Sequence, residues 1–121
     1  MDQRSPKALR LTRKNDIDRV FREGRSAADG CMTLFVLPSD LAHARLGVAV
    51  SRRYGCAVRR NRIKRLCREA FRLIRHDLPP NLDYMIVPRC GREAALEMLQ
   101  ASLRALAARL AGGAGGKGPR Q

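Results

Sequence analysis

The sequence predicts an α/β (α+β) chain: a two-layer α/β sandwich whose small mixed sheet, of the four-stranded type, carries helices mainly on one face. Three observations predict it. Segments with a 3.6-residue apolar period alternate with short runs of strand formers, in the order helix, strand, strand, helix, strand, helix. A helix between two strands demands a crossover and hence a parallel pair. Finally, 45% of the residues are apolar, and a chain of about 110 foldable residues buries roughly two thirds of its surface without staples.

In chain order, residues 1–11 read as a basic, loosely ordered arm. A helix follows over 13–23, with Ile17, Val20 and Phe21 on one stripe. Thr12 or Asn15 could cap its start, and Gly24 sits where a left-handed residue closes a helix. Residues 31–37 form a strand ended by Pro38 and the polar Ser39-Asp40. Residues 45–51 form a second, and the intervening turn predicts that the two pair as a hairpin.

The longest helix is expected over 57–75. Ile63, Leu66, Cys67, Ala70, Phe71 and Ile74 keep a 3.6 period, while Arg62, Arg65, Arg68 and Arg72 lie opposite. Pro79-Pro80 terminates it. Residues 82–87 make a third strand, closed by Pro88. A last helix over 92–111 places Leu96, Leu99, Leu103, Leu106 and Leu110 on one stripe, and Gly112-Gly113 stops it. Residues 1–111 are thus expected to form a single domain and 112–121 a Gly-rich disordered tail. There is no internal repeat.

Charge narrows the function. The chain has 25 Lys+Arg against 11 Asp+Glu, a net charge of +14. Six of the ten residues from Arg59 to Arg68 are basic, and Glu69 is the only acid between Asp40 and Asp77. A solvated face with ordinary i,i+4 pairing would need more acids than that. A dense polyanion relieves such self-repulsion, so the single domain reads as a nucleic-acid binder. A basic membrane-surface helix would want exposed Trp or Phe, and there are no Trp and three Phe. Arg outnumbers Lys 21 to 4, which suits phosphate forks and base stacking.

Catalytic chemistry has no evident carrier. His43 and His76 read as separate surface histidines, and Asp16 and Asp18, at i and i+2, point to different sides. No Gly-rich phosphate loop follows a strand, and Ser51 lacks a nucleophile's context. Cys31, Cys56, Cys67 and Cys90 are scattered without metal-ligand spacing and read as reduced thiols of a cytoplasmic protein. No metal site, secretion signal or membrane span is expected. Single-stranded RNA also wants flat side chains, each worth about 1–3 kcal/mol per base. Phe21 and Phe35 are the candidates, each with a core role as the competing reading; Tyr54 and Tyr84 are weaker. Phe35 would lie open if helices cover only the other sheet face.

The stretch Val48-Ala49-Val50-Ser51-Arg52-Arg53-Tyr54-Gly55-Cys56-Ala57-Val58-Arg59-Arg60-Asn61-Arg62-Ile63-Lys64-Arg65-Leu66 strongly resembles the protein subunit of bacterial ribonuclease P. That family's signature is a strand ending in V-S-(K/R)-(K/R), then Gly, A-V and an R-N-R-(I/L)-K-R helix. Leu11 to Gly24 is similar to its first helix, and Asp83 to Arg89 to its last strand. The resemblance implies a protein cofactor of a catalytic RNA that uses Mg²⁺ to cleave the 5′ leader from precursor tRNA. No cofactor would be bound by the protein alone, and there would be no small-molecule substrate. It implies that Arg59, Arg60, Asn61, Arg62, Lys64, Arg65 and Arg68 face the catalytic RNA. It implies a leader cleft between the first helix and an open sheet face, with Arg13, Ile17, Phe21, Phe35, Arg52, Arg53 and Arg89. It also implies a left-handed crossover around the basic helix, against the usual hand. Many members carry Phe where this chain has Ile17, so the cleft should hold one fewer stacking platform.

Two alternatives make different expectations. A small ribosomal RNA-binding protein would share the charge but not the strand–turn–helix string. A protein-only ribonuclease would need a histidine or acid cluster that the sequence does not display.

Overall fold

The structure, a computed structural model, describes residues 10–39, 43–89 and 95–111. In chain order the elements are α1 (Lys14–Glu23), β1 (Arg25–Ala28), β2 (Met32–Pro38), β3 (Arg45–Val48), α2 (Ala57–Ile74), β4 (Leu82–Pro88) and α3 (Leu96–Ala111). Short 3₁₀ turns at Arg52–Tyr54 and Arg75–Asp77 flank α2. The strands form one mixed sheet in the order β1-β2-β4-β3. β1/β2 and β2/β4 are antiparallel, and β3/β4 is the parallel pair that the α2 crossover requires.

The hairpin expected between residues 31–37 and 45–51, here β2 and β3, does not form. β4 lies between them, because its residues Asp83, Tyr84, Met85 and Ile86 are buried on both faces and such a strand belongs in the sheet centre. β2 pairs instead with β1, a strand that the polar sequence Arg25-Ser26-Ala27-Ala28 did not announce. The hairpin is closed by Asp29, whose carboxylate accepts the N–H groups of Cys31 (2.8 Å) and Met32 (3.0 Å). Ser102 Oγ on α3 donates to its other oxygen at 2.7 Å.

α2 and α3 cover one sheet face. Ile63, Cys67, Phe71 and Ile74 from α2 and Leu99, Leu103, Leu106 and Leu110 from α3 pack on Leu34, Val36, Leu46, Tyr84 and Ile86. Leu66, on the same apolar period, is only partly buried. Tyr84 is fully buried, with its hydroxyl donating to the Pro79 carbonyl at 2.6 Å.

α1 lies on the opposite face, where Val20 packs with Leu11 and Met85 beneath a half-buried rim of Ile17, Phe21, Phe35 and Leu37. Neither Thr12 nor Asn15 caps α1; Arg13 is the capping residue, without a side-chain capping bond. Gly24 is extended, not left-handed (φ −76°, ψ 164°), since the chain runs straight into β1. It must still be glycine: a Cβ there would lie 2.5 Å from the Val20 carbonyl oxygen and 2.6 Å from that of Val36. α2 ends before Pro79-Pro80, in the 3₁₀ turn at Arg75–Asp77. Of the arm expected over 1–11, the described Arg10 and Leu11 are docked along β3. The Leu11 N–H donates to the Leu46 carbonyl at 2.8 Å, and the Leu11 side chain is 3% exposed. Residues 112–121, Cys90 and the start of the helix expected at 92 lie outside the described residues.

Candidate RNA interface

The start of α2 is built tightly. Gly55 sits at φ +151°, a conformation L side chains rarely adopt, and turns the chain into the helix. Arg60 fixes that turn by donating from its guanidinium to the Gly55 carbonyl at 2.9 Å. Arg59 stacks its guanidinium over the Tyr54 ring, 5.8 Å from the centroid. Cys56 is the capping residue, exposed, and the backbone N–H of Arg59 foremost, with that of Val58, holds its thiol below the usual range.

From this start a cationic strip runs along the outer face of α2. Arg59, Asn61, Arg62 and Arg65 are exposed; Arg60, Lys64 and Arg68 are half-buried on its flanks. Arg62 and Arg65 pair with no acid among the described residues. Arg72, expected on the same strip, is instead held by Glu69 through two bonds of 2.6 and 3.1 Å, so its charge is locally spent. Burial lowers the basicity of Arg68, and the nearby charge of Arg10 lowers it further.

The second surface is the α1 face of the sheet. This face is not open throughout, because α1 crosses it. Phe35, between Ser26 and Met85 in the ladder, is half-buried and meets Phe21 edge-on with ring centroids 4.8 Å apart. Each ring is therefore both a core contact and part of the partly exposed surface beside α1. Ile17 is half-buried beside them, and Arg13 is exposed at the α1 start. Thr33, Ala49 and Val87 stay half-buried beyond the aromatic pair. Because β3 and β4 run parallel, the exposed Arg89 after β4 and Arg52-Arg53 after β3 lie at one end of the sheet, where α2 begins.

Arg45 anchors the far end. Its guanidinium forks onto the Asp83 carboxylate at 2.9 and 2.8 Å and reaches Asp16 on α1 at 3.5 Å. Hydrogen bonding to Asp83 raises its basicity. Sequence reading missed this tie, which joins α1, β3 and β4. It also treated His43 and His76 as unrelated, whereas both line one shallow depression of about 210 Å³ together with Arg75. Among the described residues no three His, Cys, Asp or Glu side chains gather as metal ligands, and no helix is long and apolar enough to cross a membrane. Cys31, Cys56 and Cys67 are reduced thiols, with Cys31 and Cys67 buried.

Known proteins with this arrangement are consistent in kind. The family model described as Ribonuclease P matches residues 5–111. The ribonuclease P protein component of an Exiguobacterium species is 45% identical over 83 residues, 69% of this chain and 72% of the relative. That of Shouchella clausii is 38% identical over 99 residues, 80% of this chain and 81% of the relative. Among solved structures, the Thermotoga maritima RNase P protein, in complex with a fluorophenyl thiourea, superposes with a TM-score of 0.75 at 30% identity, covering 83% of this chain and 98% of that one. The Staphylococcus aureus RNase P protein gives 0.73 at 28% identity, covering 87% and 96%. On sequence, fold and the arginine-rich helix together, the chain belongs to the ribonuclease P protein family, the protein component of a ribonucleoprotein endoribonuclease of tRNA processing.

Proposed function

We propose that the two surfaces divide the work: the α2 strip binds the catalytic RNA, and the α1–sheet cleft holds the 5′ leader of precursor tRNA. Arg59, Arg60, Asn61, Arg62, Lys64, Arg65 and Arg68 serve the first role. Arg13, Ile17, Phe21, Phe35, Arg52, Arg53 and Arg89 serve the second. The observation that carries this reading is the junction at one sheet end, where exposed Arg52, Arg53 and Arg89 meet the start of α2. A leader threaded along the cleft would emerge beside the strip, bringing the two RNAs together at that point.

The protein's contribution is electrostatic and positional. Arginines between two phosphate backbones screen their repulsion, which strengthens Mg²⁺ binding by the RNA subunit without a protein ligand. Cleavage is the chemistry of that RNA and its Mg²⁺; the protein, acting in the cytoplasm, orients the leader. Phe21 and Phe35 offer ring edges and faces to the leader's bases. With Ile at position 17, leader affinity leans more on charge.

The test is cleavage of a 5′-extended precursor tRNA at low Mg²⁺ with catalytic RNA alone, protein alone and both. Activity in the mixture only is expected, with the protein's benefit shrinking as Mg²⁺ rises. Cleavage by protein alone would overturn the reading. Phe35→Ala should weaken leader binding and spare catalytic-RNA binding; equal losses on both would refute the division.

A further inference from the structure

We propose that Arg10 and Arg68 together form a phosphate clamp, through which the end of the N-terminal arm completes the α2 surface and grips one phosphodiester of the catalytic RNA. This rests on the assignment of α2 to that RNA and adds a residue that the arginine-rich helix does not contain.

Three observations converge. Arg10 is fixed in place: it forms an isolated parallel bridge with Leu46, and the next residue, Leu11, is bonded to β3 and buried. The Arg10 Nε is buried and has no hydrogen-bond partner among the described residues. A guanidinium N–H withdrawn from water without an acceptor is unfavourable, and such orphans call for a missing partner. Arg10 is bridged to β3, the strand α2 packs against, and its charge lowers the basicity of the half-buried Arg68, one turn beyond Lys64 on the same flank of α2.

Among the described residues no carboxylate resolves the conflict. Glu69 is occupied by Arg72, and Asp16 and Asp83 by Arg45. Two mutually repelling forks with no acid paired to either among the described residues suit an anion with several acceptor oxygens, and a phosphodiester presents two. Its source is set by place: Arg68 continues the flank occupied by Lys64, so one backbone lying along α2 reaches both. Arg10 then approaches the same phosphate from the β3 side, and the orphaned Nε gains its acceptor on binding.

The experiment uses the full chain. Inorganic phosphate is titrated while the arginine Nε–H signals are followed by NMR. The Arg10 signal should shift saturably, ahead of Arg62 and Arg65, and the shift should vanish in Arg68→Gln. Uniform, non-saturating shifts of every arginine would mean an adventitious ion only and overturn the clamp. Catalytic-RNA affinity is then measured for Arg10→Gln, Arg68→Gln and the double variant. Each single change should cost about tenfold, and the double little more than either, because one phosphate needs both forks. Arg10→Lys should bind nearly as poorly as Arg10→Gln, since an ammonium keeps the charge without the fork.

Stability separates a binding role from a structural one. Removing either charge relieves repulsion, so the melting temperature of the free protein should hold or rise while RNA affinity falls. A melting temperature that falls with Arg10→Gln, or additive losses in the double variant, would overturn the clamp. Arg62→Gln with Arg65→Gln is the control for the parent reading. If that variant binds RNA less well while Arg10 and Arg68 act additively, the clamp fails alone. If it binds as wild type, the α2 assignment fails and takes the clamp with it.

Discussion

Replacing Arg45 by alanine should destabilise the fold more than any other single charge removal on the α1 face of the sheet. The Asp83 carboxylate is 2% exposed and receives both arms of the Arg45 fork at 2.9 and 2.8 Å. Truncation leaves that carboxylate buried and unpaired, a change that costs about 3–5 kcal/mol in comparable pairs. The Arg45 side chain retains 20% exposure, so some water can enter and the lower bound, about 3 kcal/mol, is expected. Against a total stability of roughly 5–15 kcal/mol, that should lower the melting temperature by roughly 12–20 °C. Asp16 supplies the internal control. It lies 3.5 Å from the same guanidinium with 30% exposure, so Asp16→Ala should cost only about 0.5–1 kcal/mol. Removing both buried charges, Arg45→Met with Asp83→Leu, should recover most of the loss. Urea unfolding followed by circular dichroism at pH 7 reads all three. A loss below about 1 kcal/mol for Arg45→Ala, or one equal to that of Asp16→Ala, would refute the view of Asp83 as a dry carboxylate dependent on its fork.

Three further outcomes follow from single groups. Burial pushes the Tyr84 hydroxyl well above its ordinary value of 10.0. The folded state thus favours the neutral phenol, and its contribution is complete below the unfolded pKa and lost as pH rises above it. Tyr84→Phe should flatten the alkaline fall of the urea midpoint while costing about 1 kcal/mol at pH 7 through the bond to Pro79. Burial alone would raise Asp29, but bonds from Ser102 and the Met32 and Cys31 N–H groups hold its carboxyl below 3.8. Its stabilisation is present above that value and lost as pH falls through the lowered pKa, so Asp29→Ala, about 1–2 kcal/mol less stable at pH 7, should show a shallower acid limb. Iodoacetamide at pH 7 should alkylate the exposed, acidified Cys56 at least tenfold faster than buried Cys31 and Cys67, as peptide mass spectrometry would resolve.

Much of this fold was legible because periodicity and core coincide. The apolar residues of α2 read at 3.6 spacing are those buried against the sheet, save the partly buried Leu66, and the strand–helix–strand order required the parallel β3/β4 pair. Strand order was not legible, since pairing depends on contacts between distant residues that a local pattern does not encode. β1 was missed because Arg25-Ser26-Ala27-Ala28 has no apolar alternation, although the Asp29-Gly30 pair behind it is a hairpin signal that could have exposed it. The cationic strip was readable from charge alone, whereas the withdrawal of Arg72 by Glu69 needed side-chain geometry. Arg45, Asp16 and Asp83 are far apart in the chain, so nothing local marks their meeting.

The outer side of α2 separates arginines that build the fold from arginines that the fold leaves unsatisfied. Arg60 closes the Gly55 turn, Arg59 lies on Tyr54, and Arg72 is neutralised by Glu69. These three have local reasons to be basic. Arg62 and Arg65 have none among the described residues, and Arg10 and Arg68 oppose one another. In a chain of net charge +14, such groups weaken the compact state through self-repulsion. Local rules broken without a local compensation mark the places where a sequence serves something other than its own stability. A polyanion that binds only the folded chain returns about 2.7 kcal/mol at a hundred times its dissociation constant, enough to reverse the effect of several weak surface repulsions. If the residues that cost the free protein most are those the bound protein uses, as proposed above, stability and affinity should move in opposite directions when they are removed.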